Sequence, residues 1–214
     1  ELEKIEQFHV TNGAMLVTNP QTGEILAMVG SHDYFDVQHD GQVNVTLRPR
    51  QPGSSIKPLT YSAAFEKGLT PATMINDSPV TYNIVGSPPY SPSNYDGRFH
   101  GRVSVRTALA SSYNVPAVKT LAAIGVQTVV EKGRQMGIST WGEEEAKRFG
   151  LSLTLGGGEV KMTEMAQAFS AFPNRGIPKK LNAILEVKNK KGEELYKYKD
   201  PNFVKDVKKS LASP

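Results

Sequence analysis

Four residues in two short motifs have the types and spacing to do chemistry together. Ser54 and Lys57 stand in "RQPGSSIKP", and Ser112 and Asn114 stand in "ASSYNVP", with the two serines 58 positions apart. At a helix start, residues three apart share one face, so the hydroxyl of Ser54 and the amine of Lys57 point the same way. The positive end of the helix dipole favours negative charge developing on that hydroxyl. Burial or neighbouring cations can leave a lysine neutral, and a neutral amine beside a hydroxyl can take its proton. The pair then reads as a nucleophile with its base. The same residues also describe an ordinary capped helix, because Ser is a favoured N-cap and Lys a common surface residue. Ser112-Tyr113-Asn114 falls between two expected helices, with Val115 pushed out of helical geometry by Pro116. In the cleft of Ser54, Ser112 could relay a proton and Asn114 could hold a substrate amide. Alternatively, Asn114 simply caps the helix that Pro116 opens. Both motifs in this order, separated by a loop-rich segment, are a stronger signal than either alone.

The elements that must position these residues can be read from periodicity and turn chemistry. Ala14 to Val17 and Ile25 to Val29 are two apolar strands around the turn Asn19-Pro20-Gln21-Thr22-Gly23. A polar loop covers 31–53, and a helical pattern runs from about Ser55 to Lys67, where Gly68 and Pro71 stop it. Residues 72–102, rich in Pro, Ser, Asn, Gly and Tyr, are expected to form a long loop region of functional kind. Helices are expected near 103–111, 116–123 and 126–136. "KMTEMAQAFSAF" places Met162, Met165, Ala166, Phe169 and Phe172 at helical spacing, a stripe expected in the core. "NAILEVKNKKGEELYKY" reads as a hairpin turning at 190–192. Strands at both ends with helices between them predict an α+β chain.

The 214 residues fit one domain, or one with a piece of a neighbour, and 38% hydrophobic residues can build a sizeable core. The chain has no cysteine, which excludes disulfides and thiolate metal sites. Its net charge of +4 is carried by the segment 175–214, where lysines mix with Glu193, Glu194, Asp200 and Asp206. That pattern reads as a solvated surface and not as a nucleic-acid face. No apolar run is long enough to span a bilayer, and "ELEKIEQF" at residues 1–8 is a short amphipathic stretch, not a secretory signal. The abrupt start suggests a piece of something longer.

Three further features invite functional readings. His32, Asp33, Asp36, His39 and Asp40 are metal-ligand types, but their spacing matches no metal motif, and no metal is expected there. Gly156-Gly157-Gly158 lacks the Gly-Lys-Ser ending and the GxGxxG spacing of phosphate loops and reads as a tight turn. His100 could serve as a base; loop packing is the favoured reading.

At the level of whole segments the chain resembles the transpeptidase domain of penicillin-binding proteins, most of all the class A (bifunctional) kind. "LVTNPQTGEILAMVG", "RQPGSSIKP", "YSPSNYDGRFHGRVSVRTALASSYNVPAVK" and "LTLGGGEVKMTEMAQAF" each look like that family and occur in its order. The resemblance implies the penicillin-binding/β-lactamase-like transpeptidase fold, a helical cluster packed on an antiparallel sheet. It implies that Ser54 attacks the D-Ala-D-Ala carbonyl of a peptidoglycan stem peptide, with Lys57 as general base. Ser112 would shuttle a proton to the leaving D-alanine, and Asn114 would bind the donor peptide's backbone. The Ser54 N–H would form half of an oxyanion hole. β-Lactams would acylate Ser54. No cofactor is implied. The longer protein would carry a glycosyltransferase domain and a membrane anchor, and would work on the extracytoplasmic face of the bacterial plasma membrane.

One departure from the family's pattern stands out. The Lys-Thr/Ser-Gly motif of the cleft strand is absent: Lys119-Thr120-Leu121 and Lys209-Ser210-Leu211 both lack the glycine. The expected organisation is therefore the end of a linker at 1–12 and a partial transpeptidase domain at 13–214, lacking its C-terminal strands and helix and turning over little or not at all. The competing readings are a non-catalytic cell-wall-binding or scaffold remnant, and a β-lactamase or D,D-carboxypeptidase of the same superfold.

Overall fold

The computed structural model describes residues 10–83, 86 and 88–199. The expected linker residues 1–9 and the Lys209-Ser210-Leu211 tail lie outside the described residues. The chain divides into two compact units, 47–165 and the pair of segments 1–46 and 166–214. The boundary falls inside a helix, Met162–Ser170.

The unit 47–165 is built on a buried helix, α1 (Lys57–Glu66), entered through a 3₁₀ turn, Gly53–Ile56. Leu59, Thr60, Tyr61, Ala63 and Ala64 are buried. A helix buried on most of its circumference suits a domain centre and needs no strong amphipathic stripe. It packs against α3 (Asn114–Ile124) and α4 (Val126–Gln135). Val115, Ala117, Val118 and Leu121 of α3 are fully buried.

The stretch expected to be all loop, 72–102, holds a strand at each end. β3 (Met74–Asp77) pairs antiparallel with β4 (Gly101–Ser104), Ile75 opposite Val103. Four-residue strands show too little alternation to be recognised in a polar sequence. Their core-facing side chains join a cluster of Tyr61, Val103, Val105, Ala108 and Ala117, with Ile75 and Tyr113 packed against it. Because β4 ends at Ser104, the helix expected from residue 103 begins two residues later, as α2 (Val105–Ala110). The Ser104 hydroxyl caps it, accepting from the Thr107 N–H. A short helix not foreseen, α5 (Glu143–Lys147), precedes the triple-glycine segment.

That segment is a tight turn, as expected, and it braces the entry to α1. Arg50 and Val160 exchange both backbone hydrogen bonds, at 2.9 and 3.0 Å. Gly156 has φ +98°, and a Cβ there would lie 2.3 Å from the Gly53 nitrogen. Only glycine allows so close an approach. Below it, the Thr154 hydroxyl donates to the Thr60 hydroxyl at 2.9 Å in the buried interior.

In the other unit, β1 (Met15–Thr18) and β2 (Ile25–Val29) form the expected hairpin, Leu16 opposite Met28. Ile25 N–H donates to the Asn182 carbonyl at 3.0 Å and Asn182 N–H to the Gly23 carbonyl at 2.8 Å, tying the hairpin's turn to the later segment. β5 (Glu186–Lys188) and β6 (Glu194–Lys197) form the expected second hairpin and pair only with each other among the described residues. The methionine–phenylalanine stripe is a correction. Along α6 (Met162–Ser170) and just beyond it, Ala168 and Ala171 are buried, while Met162, Phe169 and Phe172 are exposed by 36%, 37% and 47%. Spacing showed a face, but the buried positions Glu164 and Ala168 fall on another side of the helix. The acid-and-histidine run is used in local turns: Asp36 accepts from the His39 backbone N–H and lies 2.7 Å from His39 Nδ1. Among the described residues no group of His, Cys, Asp and Glu is placed to hold a metal ion.

Candidate active site

Ser54 lies on the 3₁₀ turn and Lys57 is the first residue of α1. In a 3₁₀ turn residues three apart eclipse one another, so the two side chains leave the same side even more directly than in an α-helix. Ser54 is exposed, and its hydroxyl forms no hydrogen bond among the described residues. Pro58 follows Lys57 in the first turn, where a missing N–H has little consequence.

Lys57 is fully buried. Its Nζ donates to the Ser112 carbonyl at 2.5 Å, to Asn114 Oδ1 at 2.7 Å and to Ser112 Oγ at 3.1 Å. Three oxygens match the three donors of an ammonium. None of them is charged, so nothing offsets the loss of water around the amine, and burial pushes the Lys57 pKa down to about 8. A lysine in this state exchanges its proton near neutral pH, as a base or a relay must.

Ser112 reaches the lysine through an unusual backbone. Its φ is +54°, left-handed for a residue with a Cβ. Such a conformation costs on the order of 1–3 kcal/mol and persists only where its surroundings enforce it. Here it turns both the carbonyl and the hydroxyl of one residue onto Nζ. Val115 is not pushed out of the helix as Pro116 led us to expect, because α3 already begins at Asn114 and places Pro116 in its first turn. Nor does Asn114 cap that helix. Its side chain is committed at both ends, Oδ1 to Lys57 and Nδ2 to the Ser93 carbonyl at 3.0 Å.

The cap comes from a residue that sequence reasoning did not single out. Asn94 Oδ1 accepts from the Asn114 N–H at 2.8 Å and the Val115 N–H at 3.1 Å. Twenty positions separate the partners, and no local pattern signals the contact. His100 packs in this loop as favoured above: Nδ1 lies 2.7 Å from Asp77 Oδ2, and its ring stacks on Tyr113 with centroids 4.0 Å apart. Lys119-Thr120 is confirmed as helix and is structurally occupied. Lys119 Nζ donates to the Asn76 carbonyl and Thr120 Oγ1 to the Pro116 carbonyl. A polar cavity of about 760 Å³ in the same unit is lined by Ser139, Thr140, Arg148, Phe149 and Lys161 and by none of the four site residues. Unusual backbone and a perturbed amine coincide at Lys57 and not at this cavity, and perturbed groups of that kind cluster at functional sites.

The chain is similar to known proteins over most of its length. The model of the penicillin binding protein transpeptidase domain matches residues 13–212. Penicillin-binding protein 1A of Rickettsia conorii is 33% identical over 197 residues, covering 92% of this chain and 24% of that protein. Penicillin-binding protein 1A of Neisseria lactamica is 36% identical over 177 residues, covering 80% and 21%. Among solved structures, penicillin-binding protein 1A from Haemophilus influenzae superposes with a TM-score of 0.77 at 28% identity, over 87% of this chain and 27% of that one. PonA1 from Mycobacterium tuberculosis in complex with penicillin V has a TM-score of 0.74 at 19% identity, covering 91% and 53%, a likeness of fold. The chain belongs to the penicillin-binding protein transpeptidase domain family, and its fold is the α+β transpeptidase fold of that family. It spans about a quarter of the length of the curated relatives it matches.

Proposed function

We propose that this domain is the D,D-transpeptidase part of a class A penicillin-binding protein and cross-links peptidoglycan stem peptides through a Ser54 acyl-enzyme. Ser54 Oγ attacks the D-Ala-D-Ala carbonyl, forming the ester and breaking the amide bond to the terminal D-alanine. The Ser54 proton passes to Lys57 Nζ in its neutral form, and from there through Ser112 Oγ to the leaving amine. An amine of a second stem peptide then attacks the ester and returns Ser54 to its hydroxyl form as the cross-link forms. The Ser54 N–H, in the first turn where such groups lack an internal partner, donates to the developing oxyanion. Asn114 has one amide N–H left after Ser93 and offers it to the substrate backbone.

The observation that carries this reading is the contact of a buried, uncompensated lysine with Ser112 Oγ and Asn114 Oδ1. A surface helix with an ordinary cap would have no such contact. β-Lactams acylate Ser54 in the same way, with the ring amide as the bond that breaks. The longer protein carries a glycosyltransferase domain and a membrane anchor and acts on the extracytoplasmic face of the plasma membrane. Among the described residues no helix is long and apolar enough to cross a membrane.

Fluorescent penicillin tests the reading in the longest natural polypeptide that carries this domain. We expect one covalent label, on the peptide containing Ser54, and no label in Ser54→Ala. A label that persists in that variant removes Ser54 from the role.

A further inference from the structure

Behind the Ser112–Asn114 turn lies a buried polar knot that the proposed chemistry does not use. Asn94 is 4% exposed, and all of its hydrogen-bonding capacity faces protein. Its Oδ1 accepts from the Asn114 and Val115 N–H groups, and its Nδ2 donates to Asp77 Oδ2 and to the Arg98 carbonyl, both at 2.8 Å. Asp77 is fully buried, and its Oδ2 also accepts from the His100 N–H at 3.0 Å and faces His100 Nδ1. His100 Nε2 lies 3.1 Å from Asp96 Oδ2.

The loop 93–100 therefore grips the Ser112-Tyr113-Asn114 turn at three points. Asn94 holds the backbone of Asn114, the Ser93 carbonyl holds its side-chain amide, and the His100 ring lies on Tyr113. The grip on the amide matters for chemistry. With Nδ2 occupied by Ser93, the oxygen of the Asn114 amide is the end turned to Lys57. Fixing the backbone of Asn114 also fixes the strained carbonyl of Ser112 two residues earlier.

We propose that Asn94, anchored on Asp77, is a positioning residue for the reaction: it holds the Asn114 amide and the Ser112 carbonyl on Lys57 and so sets how fast Ser54 is acylated. This inference rests on the reading of Ser54 and Lys57 given above. Asn94 touches neither substrate nor the reacting atoms, and it acts through the first turn of α3.

The test compares the wild type, Asn94→Ala and Asp77→Asn. In Asp77→Asn the side-chain oxygen at position 77 still accepts from Asn94 Nδ2 and from the His100 N–H, so the anchor is kept and only its charge is removed. Acylation by fluorescent penicillin is followed to completion, giving a rate constant and a labelled fraction. We expect Asn94→Ala to lower the rate constant about 10- to 100-fold, in line with small misplacements of a reacting constellation. The affinity for penicillin and the final labelled fraction stay near wild type, and Asp77→Asn keeps most of the wild-type rate. A rate constant at the wild-type value with a reduced labelled fraction means Asn94 serves folding alone, and overturns the proposal.

The Lys57 titration, followed by NMR of its side chain in the 214-residue chain, separates this inference from the reading it rests on. Loss of an acceptor disfavours the ammonium, so Asn94→Ala moves the midpoint down by about half a pH unit or more. If the wild type takes no label, or Ser54→Ala still does, the acyl-enzyme reading falls, and this midpoint decides the fate of Asn94. A midpoint unmoved in Asn94→Ala overturns the positioning role whatever the labelling shows.

Discussion

Lys57 Nζ and Asn114 Oδ1 meet at 2.7 Å across 57 positions of chain, where the lysine is fully buried. An amine and a neutral amide oxygen so placed make the protonation of Lys57 sensitive to anything done to that oxygen or to the water around it.

The acylation rate should rise with pH on a single proton, with a midpoint near the value of about 8 to which burial lowers Lys57. Below it the amine is an ammonium and cannot accept the Ser54 proton. Stability should follow with the same sign. The unfolded lysine titrates at 10.5, above the folded value, so between about 8 and 10.5 the unfolded chain holds more of this proton. The contribution of Lys57 to stability therefore grows as pH rises through that window and is lost as pH falls through 8. Denaturant unfolding of wild type and Lys57→Met over pH 7 to 10.5 measures it: the wild type should gain on the variant across the window.

Asn114→Asp puts a carboxylate against the lysine in place of an amide. An opposite charge at this distance favours the ammonium by about 1–3 pKa units. The midpoint of the acylation profile should move up by that amount, and the rate at pH 7 should drop at least about tenfold. A pH–rate profile with penicillin checks this. A midpoint left in place would mean that the two side chains are not in contact when the reaction occurs.

Gly156→Ala tests the brace behind the nucleophile. Its Cβ would fall 2.3 Å from the Gly53 nitrogen, on backbone at φ +98°. Gly68 shares that φ but has nothing within 4 Å of an added Cβ, so Gly68→Ala isolates the backbone strain. Gly68→Ala should cost about 1 kcal/mol and Gly156→Ala at least about 2 kcal/mol more, measured by denaturant unfolding. Gly156→Ala should also slow acylation of the molecules that remain folded, because Gly53 must shift and Ser54 is the next residue.

Much of the framework was legible before any coordinates. The helix following Ser54, the hairpin around residues 19–23, the turn at 190–192 and the helix after Gly125 depend on periodicity and on Gly, Pro and Asn at particular points. Those signals act within a few residues of where they occur. The misses share one cause. β3 and β4 are each too short to display a period, and they exist because Ile75 and Val103 reach the same cluster. Met162, Phe169 and Phe172 have helical spacing but stay exposed, because a period reports a face and not what covers it.

The candidate site divides along the same line. Residue identity and order were enough to nominate Ser54, Lys57, Ser112 and Asn114, since a hydroxyl and an amine one turn apart at a helix start leave on the same side whatever the rest of the chain does. Tertiary packing alone decided that Lys57 would be dry, that Ser112 would adopt a left-handed backbone to offer it two oxygens, and that Asn94 would cap α3. Each of those depends on groups 20 to 57 positions apart being pressed together. Desolvation, strain and a remote cap are properties of the surroundings, and no short window of sequence carries them.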